Sequence, residues 1–184
     1  MAKKIMVIRH AERPDDAGLI IGVTIEGRPD SEDLTVAGWQ RSGALVGLFL
    51  PPGGGFIDPN LATPDAIFAS GIGPHSKSQR PQHTVGPLAA KLGLQLNTNH
   101  LKGEESKLVD DVLASDGVTL IAWEHQAIPL IGNSIIGNNT SCPQSWPGNR
   151  FDLVWVFDQV VGSREWIFHQ VPQRLLAGDS SEPV

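Results

Sequence analysis

Met6-Val7-Ile8-Arg9-His10-Ala11-Glu12-Arg13 decides the fold. An apolar run, Ile5 to Ile8, begins close to the first residue and ends directly in an arginine–histidine pair. Such a run reads as a buried strand, with the pair at its C-terminal end. In open α/β sheets that edge is where ligands gather. A neutral histidine there can attack phosphorus through a ring nitrogen. The adjacent guanidinium can hold phosphoryl oxygens by charge-assisted hydrogen bonds.

Outward from this stretch, strands and helices alternate. Residues 14–32 are rich in Pro, Asp and Gly and read as a loop, with a short apolar patch at Leu19–Ile25. Asp33-Leu34-Thr35 opens a helix with Thr35 as N-cap and Trp39, Ala44, Leu45, Leu48 and Phe49 on its apolar face. Pro51 to Gly55 ends it. Ala66–Ser70 is a second strand, followed by a loop over Gly71–Gln79. Pro81 suits the first turn of the next helix, which runs to about Leu92 and stops at Gly93. Leu94–Leu96 reads as a short strand and Glu104–Ala114 as an amphipathic helix. Val118–Trp123 is the third central strand, ending in Glu124-His125-Gln126, with a helix to about Ile136. Residues 137–150 form a loop. Phe151–Phe157 and Glu165–Val171 form a hairpin turning at Gly162-Ser163. From Arg174 the tail is polar and expected to fray. This order predicts an α/β fold: a three-layer α/β/α sandwich with a mostly parallel central sheet.

Composition sets the outer limits. At 184 residues the chain is one domain, 1–184. Its 40% hydrophobic and 18% charged residues are those of a globular protein. A net charge of -6 argues against wholesale nucleic-acid binding, although a few basic residues can still converge on an anion. Cys142, the one cysteine, excludes an internal disulfide and a thiolate metal cluster and fits a reducing compartment. No apolar run is long enough for a signal segment or a membrane span, so a cytoplasmic location is expected. No ligand spacing supports a metal site at Glu12, Asp15 and Asp16. Oligomeric state is left open.

Three strands end in chemically loaded residues: Arg9-His10, then Ser70 with Arg80 a loop away, then His125. A parallel sheet aligns these ends, so two imidazoles and at least two guanidiniums meet in one pocket. Arg80 near a helix N-terminus adds the backbone field that anions seek. Such a pocket suits a phosphate ester. His75, His83, His100 and His169 are read as non-catalytic, with His75 and His83 nearest the rim.

At this point the chain resembles the histidine phosphatase superfamily, with its phosphoglycerate-mutase-like fold. Arg9-His10-Ala11-Glu12 is similar to the superfamily's Arg-His-Gly/Ala-Glu signature. Leu34-Thr35-Val36-Ala37-Gly38-Trp39-Gln40 resembles its Leu-Thr-x-x-Gly-x-x-Gln segment. Phe68-Ala69-Ser70 and Arg80-Pro81-Gln82-His83-Thr84 resemble its Ala-Ser…Arg-x-x-x-Thr segment, and Trp123-Glu124-His125 its strand-end second histidine. The motifs stand in the family's order over residues 4–136.

The resemblance implies a metal-independent phosphatase that passes through a phosphohistidine on His10, with no cofactor. Arg9 and Arg80 would bind the phosphoryl group, and His125 would stabilise charge in the transition state. The mutase-like branch places its general acid roughly two dozen residues past the second arginine. That position falls on Lys102-Gly103-Glu104-Glu105 and favours Glu105 over Glu104, with Glu12 and Glu124 as rivals. Arg13 matches the second arginine of the acid-phosphatase branch and is a candidate substrate-binding residue together with Ser70. That branch's His-Asp pair is missing, because Gln126 follows His125. The loop between Ser70 and Arg80 is longer than the family's, which leaves Ser76 as an alternative serine. The expected partner is a small phosphorylated molecule or a phosphoprotein. The alternatives are a mutase-type phosphotransferase, disfavoured by the short chain, and a non-catalytic phospholigand-binding domain.

Overall fold

The computed structural model describes residues 3–184. Its strands are β1 (Lys4–Arg9), β2 (Ala66–Ala69), β3 (Val118–Trp123), β4 (Leu153–Gln159) and β5 (Trp166–Pro172). They form one sheet in the order β2-β3-β1-β4-β5. β1 pairs in parallel with β3, and β3 with β2. β4 lies antiparallel to both β1 and β5. The expectation of a mostly parallel sheet is therefore met in part. β4 alone runs backwards, but its place between β1 and β5 makes two of the four pairings antiparallel. A tight connection forces this, because the hairpin joining β4 to β5 turns at Gly162 with φ 76°.

Strand alternation distributes the core to two layers. Ile5 and Val7 of β1 pack with Leu108, Val112, Ile131 and Ile135, which belong to α3 (Glu105–Ala114) and α4 (Ile128–Ile136). Met6 and Ile8 point the other way, onto Leu45, Leu48, Val85 and Leu88 of α1 (Val36–Phe49) and α2 (Arg80–Leu92). Each such side chain contributes roughly 1.5–3 kcal/mol by leaving water, so the alternation fixes the strand's register firmly. No described helix is long and apolar enough to cross a membrane.

Both helices on the second face are pinned to the backbone just beyond His10. Thr35 caps α1: its hydroxyl accepts from Gly38 N at 3.1 Å. Thr35 N donates to Glu12 O at 3.0 Å. At Gly38 a Cβ would lie 2.6 Å from Glu12 O, so only glycine permits this approach. From α2, the Thr84 hydroxyl accepts from Ala11 N at 2.8 Å. Pro81 sits in the first turn of α2, and Gly93 ends the helix at φ 68°.

Two expectations need correction. Leu94–Leu96 is not a strand, and the segment makes one isolated bridge, Phe68 to Asn97. The tail past Arg174 does not hang free. Asp179 pairs with buried Arg41 at 2.7 Å, and Ser180 N donates to Asp152 Oδ2 at 2.7 Å. Gln173, fully buried, accepts from Arg41 Nη1 at 2.9 Å. Polar composition conceals this anchoring, because the tail's partners are themselves charged.

Candidate active site

β1 and β3 deliver their terminal residues side by side. Arg9 is in register with Trp123, and His10 N donates to Trp123 O at 2.9 Å. The neighbouring strand end is thereby fixed two residues short of His125. The His10 ring is buried, and its Nδ1 donates to Ala11 O at 2.7 Å. That bond consumes the one proton of a neutral imidazole and leaves Nε2 with a free lone pair. Burial, above all, holds the His10 pKa down at about 3, and the nearby charges of Arg9, Arg80 and His125 add to the depression. His125 is lowered to about 4, again by burial first and then by Arg9, Arg13 and Lys102. Both rings are neutral at neutral pH.

Arg9 is buried below the surface and clamped from two sides. Its Nη1 donates to Gly148 O at 2.7 Å and Arg150 O at 3.1 Å. Its guanidinium lies 3.8 Å from the centre of the Phe151 ring. Gly148 also lies near the other imidazole, since a Cβ built there would stand 3.8 Å from His125 Nε2. Arg9 Nε and Nη2 are buried and meet no hydrogen-bond partner among the described residues, and the same holds for Arg80 Nε. Burial, assisted by Arg13, pushes the Arg9 pKa down to about 10, so the guanidinium keeps its charge at neutral pH. Arg80 is likewise lowered, chiefly by burial. Its Nη1 donates to Ser31 O at 2.8 Å, and Nη2 lies 3.9 Å from Glu32.

A cavity of about 270 Å³ opens at this edge. His10, Ser70 and Arg80 line it, with Glu32, Ser76 and Glu124. Arg9 and His125 stand beside His10, outside that lining. Of the residues read from the sequence, His10, Ser70 and Arg80 line the cavity, and Arg9 and His125 lie next to it at the same sheet edge. Ser76, the alternative serine, lines the cavity as well.

Other expectations fail on geometry. Glu105 is buried away from the cavity: its Oε1 accepts from Trp123 Nε1 at 3.0 Å and Gly103 N at 3.0 Å. It fastens α3 to β3 and reaches no leaving group. Glu104 pairs with Lys107 at 2.8 Å on the surface. Glu12 is taken by Arg41 at 2.7 Å. The carboxylates in the cavity are Glu32 and Glu124, the latter paired with Lys102 at 2.7 Å. Arg13 does not line the cavity but pairs with Asp16 at 2.7 Å. It bears on the site through its charge, felt at Arg9, Arg80 and His125. His75 does line the cavity. His83 instead bonds Asp33 at 2.6 Å and lines a groove beside Trp39. Sequence reasoning missed Glu32, Lys77, Ser78 and Lys102. They lie in loops, which carry no periodic signal.

No protein-family model matches the chain, and no curated protein sequence matches it. Solved structures do. The alpha-ribazole phosphatase of Shigella flexneri is 12% identical, with a TM-score of 0.55 over 96% of this chain and 100% of that one. A mycobacterial glucosyl-3-phosphoglycerate phosphatase is 12% identical, with a TM-score of 0.54 over 90% of this chain and 96% of that one. A phosphoserine phosphatase variant of Entamoeba histolytica, in complex with phosphoserine, is 13% identical, with a TM-score of 0.51 over 95% and 99%. At these identities the likeness is one of fold. The fold is the phosphoglycerate-mutase-like α/β fold, and the chain shares it with these phosphatases.

Proposed function

We propose that this chain is a phosphomonoester hydrolase that works through a phosphohistidine on His10. One observation carries the reading. Among the described residues, buried guanidinium N–H groups of Arg9 and Arg80 have no hydrogen-bond partner, near a neutral imidazole whose Nε2 makes none either. An unmet buried donor costs roughly 1–3 kcal/mol, and more on a charged group. A tetrahedral oxyanion removes that cost, and no neutral ligand does so as well.

The chemistry follows in two displacements. His10 Nε2 attacks phosphorus, the P–O ester bond breaks, and the alkoxide leaves with a proton. Glu32 or Glu124, the carboxylates in the cavity, supplies that proton, since Glu105 is held by Trp123 and Gly103 away from it. Water then attacks the phosphoramidate and gives a proton to the carboxylate left by the first step, the N–P bond breaks, and inorganic phosphate leaves. Arg9 and Arg80 hold the equatorial oxygens as negative charge is redistributed. His125 serves as a neutral N–H donor whose proton affinity rises once a dianion sits beside it. The fixed cations Arg9 and Arg80 supply most of the electrostatic stabilisation. The cavity, about 270 Å³, is of a size that admits a small phosphomonoester.

The test is hydrolysis of p-nitrophenyl phosphate by the wild-type protein and by His10→Ala. We expect turnover in the first and its loss, by three orders of magnitude or about that, in the second. Equal background in both proteins would contradict the hydrolase reading and favour a binding domain.

A further inference from the structure

We infer that residues 75–78 form a recognition wall for a second anionic group on the substrate, making a small, hydroxylated, doubly anionic phosphomonoester the preferred class. The inference rests on the hydrolase reading of the same cavity. Four consecutive residues, His75, Ser76, Lys77 and Ser78, line it together with His10. A tight turn presents them: Gly73 N donates to Ser76 O at 2.9 Å, and Ser76 N to Gly73 O at 3.3 Å. The turn is seated on its neighbour. Gly71 N donates to His100 O at 2.8 Å, and a Cβ at Gly73 would meet Leu101 at 2.8 Å. Lys102, next in the chain, lines the same cavity.

Charge counting singles out Lys77. The cavity holds two carboxylates, and each already faces a cation: Glu32 lies 3.9 Å from Arg80, and Glu124 lies 2.7 Å from Lys102. Lys77 is exposed and forms no hydrogen bond or ion pair among the described residues. The Ser78 hydroxyl is buried without a partner there. An ammonium that no carboxylate of the described residues engages and a buried hydroxyl without a partner among them, both in the cavity wall, match a carboxylate or second phosphate on a hydroxylated carbon chain. Pro81 is the one apolar side chain in the lining among the described residues, and no aromatic carbocycle lines it for a nucleobase to stack on.

A matched pair of esters tests this. 6-Phosphogluconate and glucitol 6-phosphate have the same carbon chain and differ in a carboxylate against a hydroxymethyl group. The wild-type protein should favour the carboxylate ester by tenfold or more in kcat/KM, with adenosine 5′-monophosphate slower than either. Lys77→Gln should bring the ratio of the pair towards one. Calorimetric binding of the same two esters to His10→Ala should show the same preference and the same loss when Lys77→Gln is added. If p-nitrophenyl phosphate is hydrolysed but the ratio is near one, or survives Lys77→Gln, the wall is refuted and the hydrolase stands. If no ester is turned over, the hydrolase reading fails, and the binding ratio alone decides for or against the wall.

Discussion

His10 shows how one side chain is prepared for its task by its surroundings. A free imidazole titrates near neutrality and would be partly protonated, hence not nucleophilic. Here burial keeps it neutral, while the bond from Nδ1 to Ala11 O chooses the tautomer. The same arrangement has a measurable effect on stability. In the unfolded chain His10 takes up a proton below about pH 6.5, whereas in the fold it does not until about pH 3. Between those values the unfolded state binds more protons, so stability must fall as pH falls. The slope is up to about 1.4 kcal/mol per pH unit for this one group. Urea titrations at pH 7, 5.5 and 4.5 should show a progressive loss that is smaller in His10→Ala. A pH-independent difference between the two proteins would contradict the burial argument.

Residue by residue, the site was legible where strand ends carry it. Arg9, His10, Ser70 and His125 follow apolar runs, and a parallel sheet aligns the ends of such runs without further information. Glu105 was not legible. An acidic residue in a helix's first turn can point to solvent or to the sheet, and here Trp123 decides by offering its indole N–H. The wall at residues 75–78 and the Lys102–Glu124 pair were hidden for another reason. Loop side chains are placed by turns and by single close approaches, such as Gly73 on Leu101, which leave no period in the sequence.

At the scale of elements, α1 and α2 act as braces for residues 11 and 12. The Thr35 cap, the close approach at Gly38 and the Thr84 hydroxyl converge on the two peptide units after His10. The backbone that aims the imidazole is thus held from both helices. Gly38→Ala would place a methyl 2.6 Å from Glu12 O, closer than real contacts allow. Overpacking of this kind costs about 1–3 kcal/mol. The expected result is a melting temperature lower by several degrees, together with slower p-nitrophenyl phosphate hydrolysis, on the proposed function, in the protein that remains folded. Wild-type stability in Gly38→Ala would show that the helix docks less tightly than described. The motif Leu34-Thr35-Val36-Ala37-Gly38 was readable, but its purpose was not, because sequence spacing shows a cap and does not show what the cap leans on. The hairpin presents a similar case. Both strands were legible from their apolar content, but not the reversal of β4 within the sheet.

At the scale of the whole molecule, the C-terminal segment and the signature stretch are tied through one buried arginine. Arg41 bonds Glu12 at 2.7 Å on one side and Asp179 at 2.7 Å on the other. The sequence held a signal for its burial. Arg41 is three residues past Gly38 and four before Leu45, in phase with the buried face of α1. A charged residue in that phase needs a buried counter-charge, and the polar tail supplies it. Removing one member of such a network leaves the others buried and unpaired, which costs about 3–5 kcal/mol. Arg41→Ala should therefore unfold at markedly lower denaturant concentration and expose the tail to proteolysis near residue 174. An unchanged transition midpoint would contradict the linkage between tail and site.

The most direct measurement is covalent trapping. The wild-type protein is mixed briefly with a phosphorus-labelled monoester, denatured in alkaline detergent and digested, and the labelled peptide is sequenced. The account predicts base-stable, acid-labile label on His10, absent from His10→Ala. Turnover without label on His10, or acid-stable label on another residue, would contradict it.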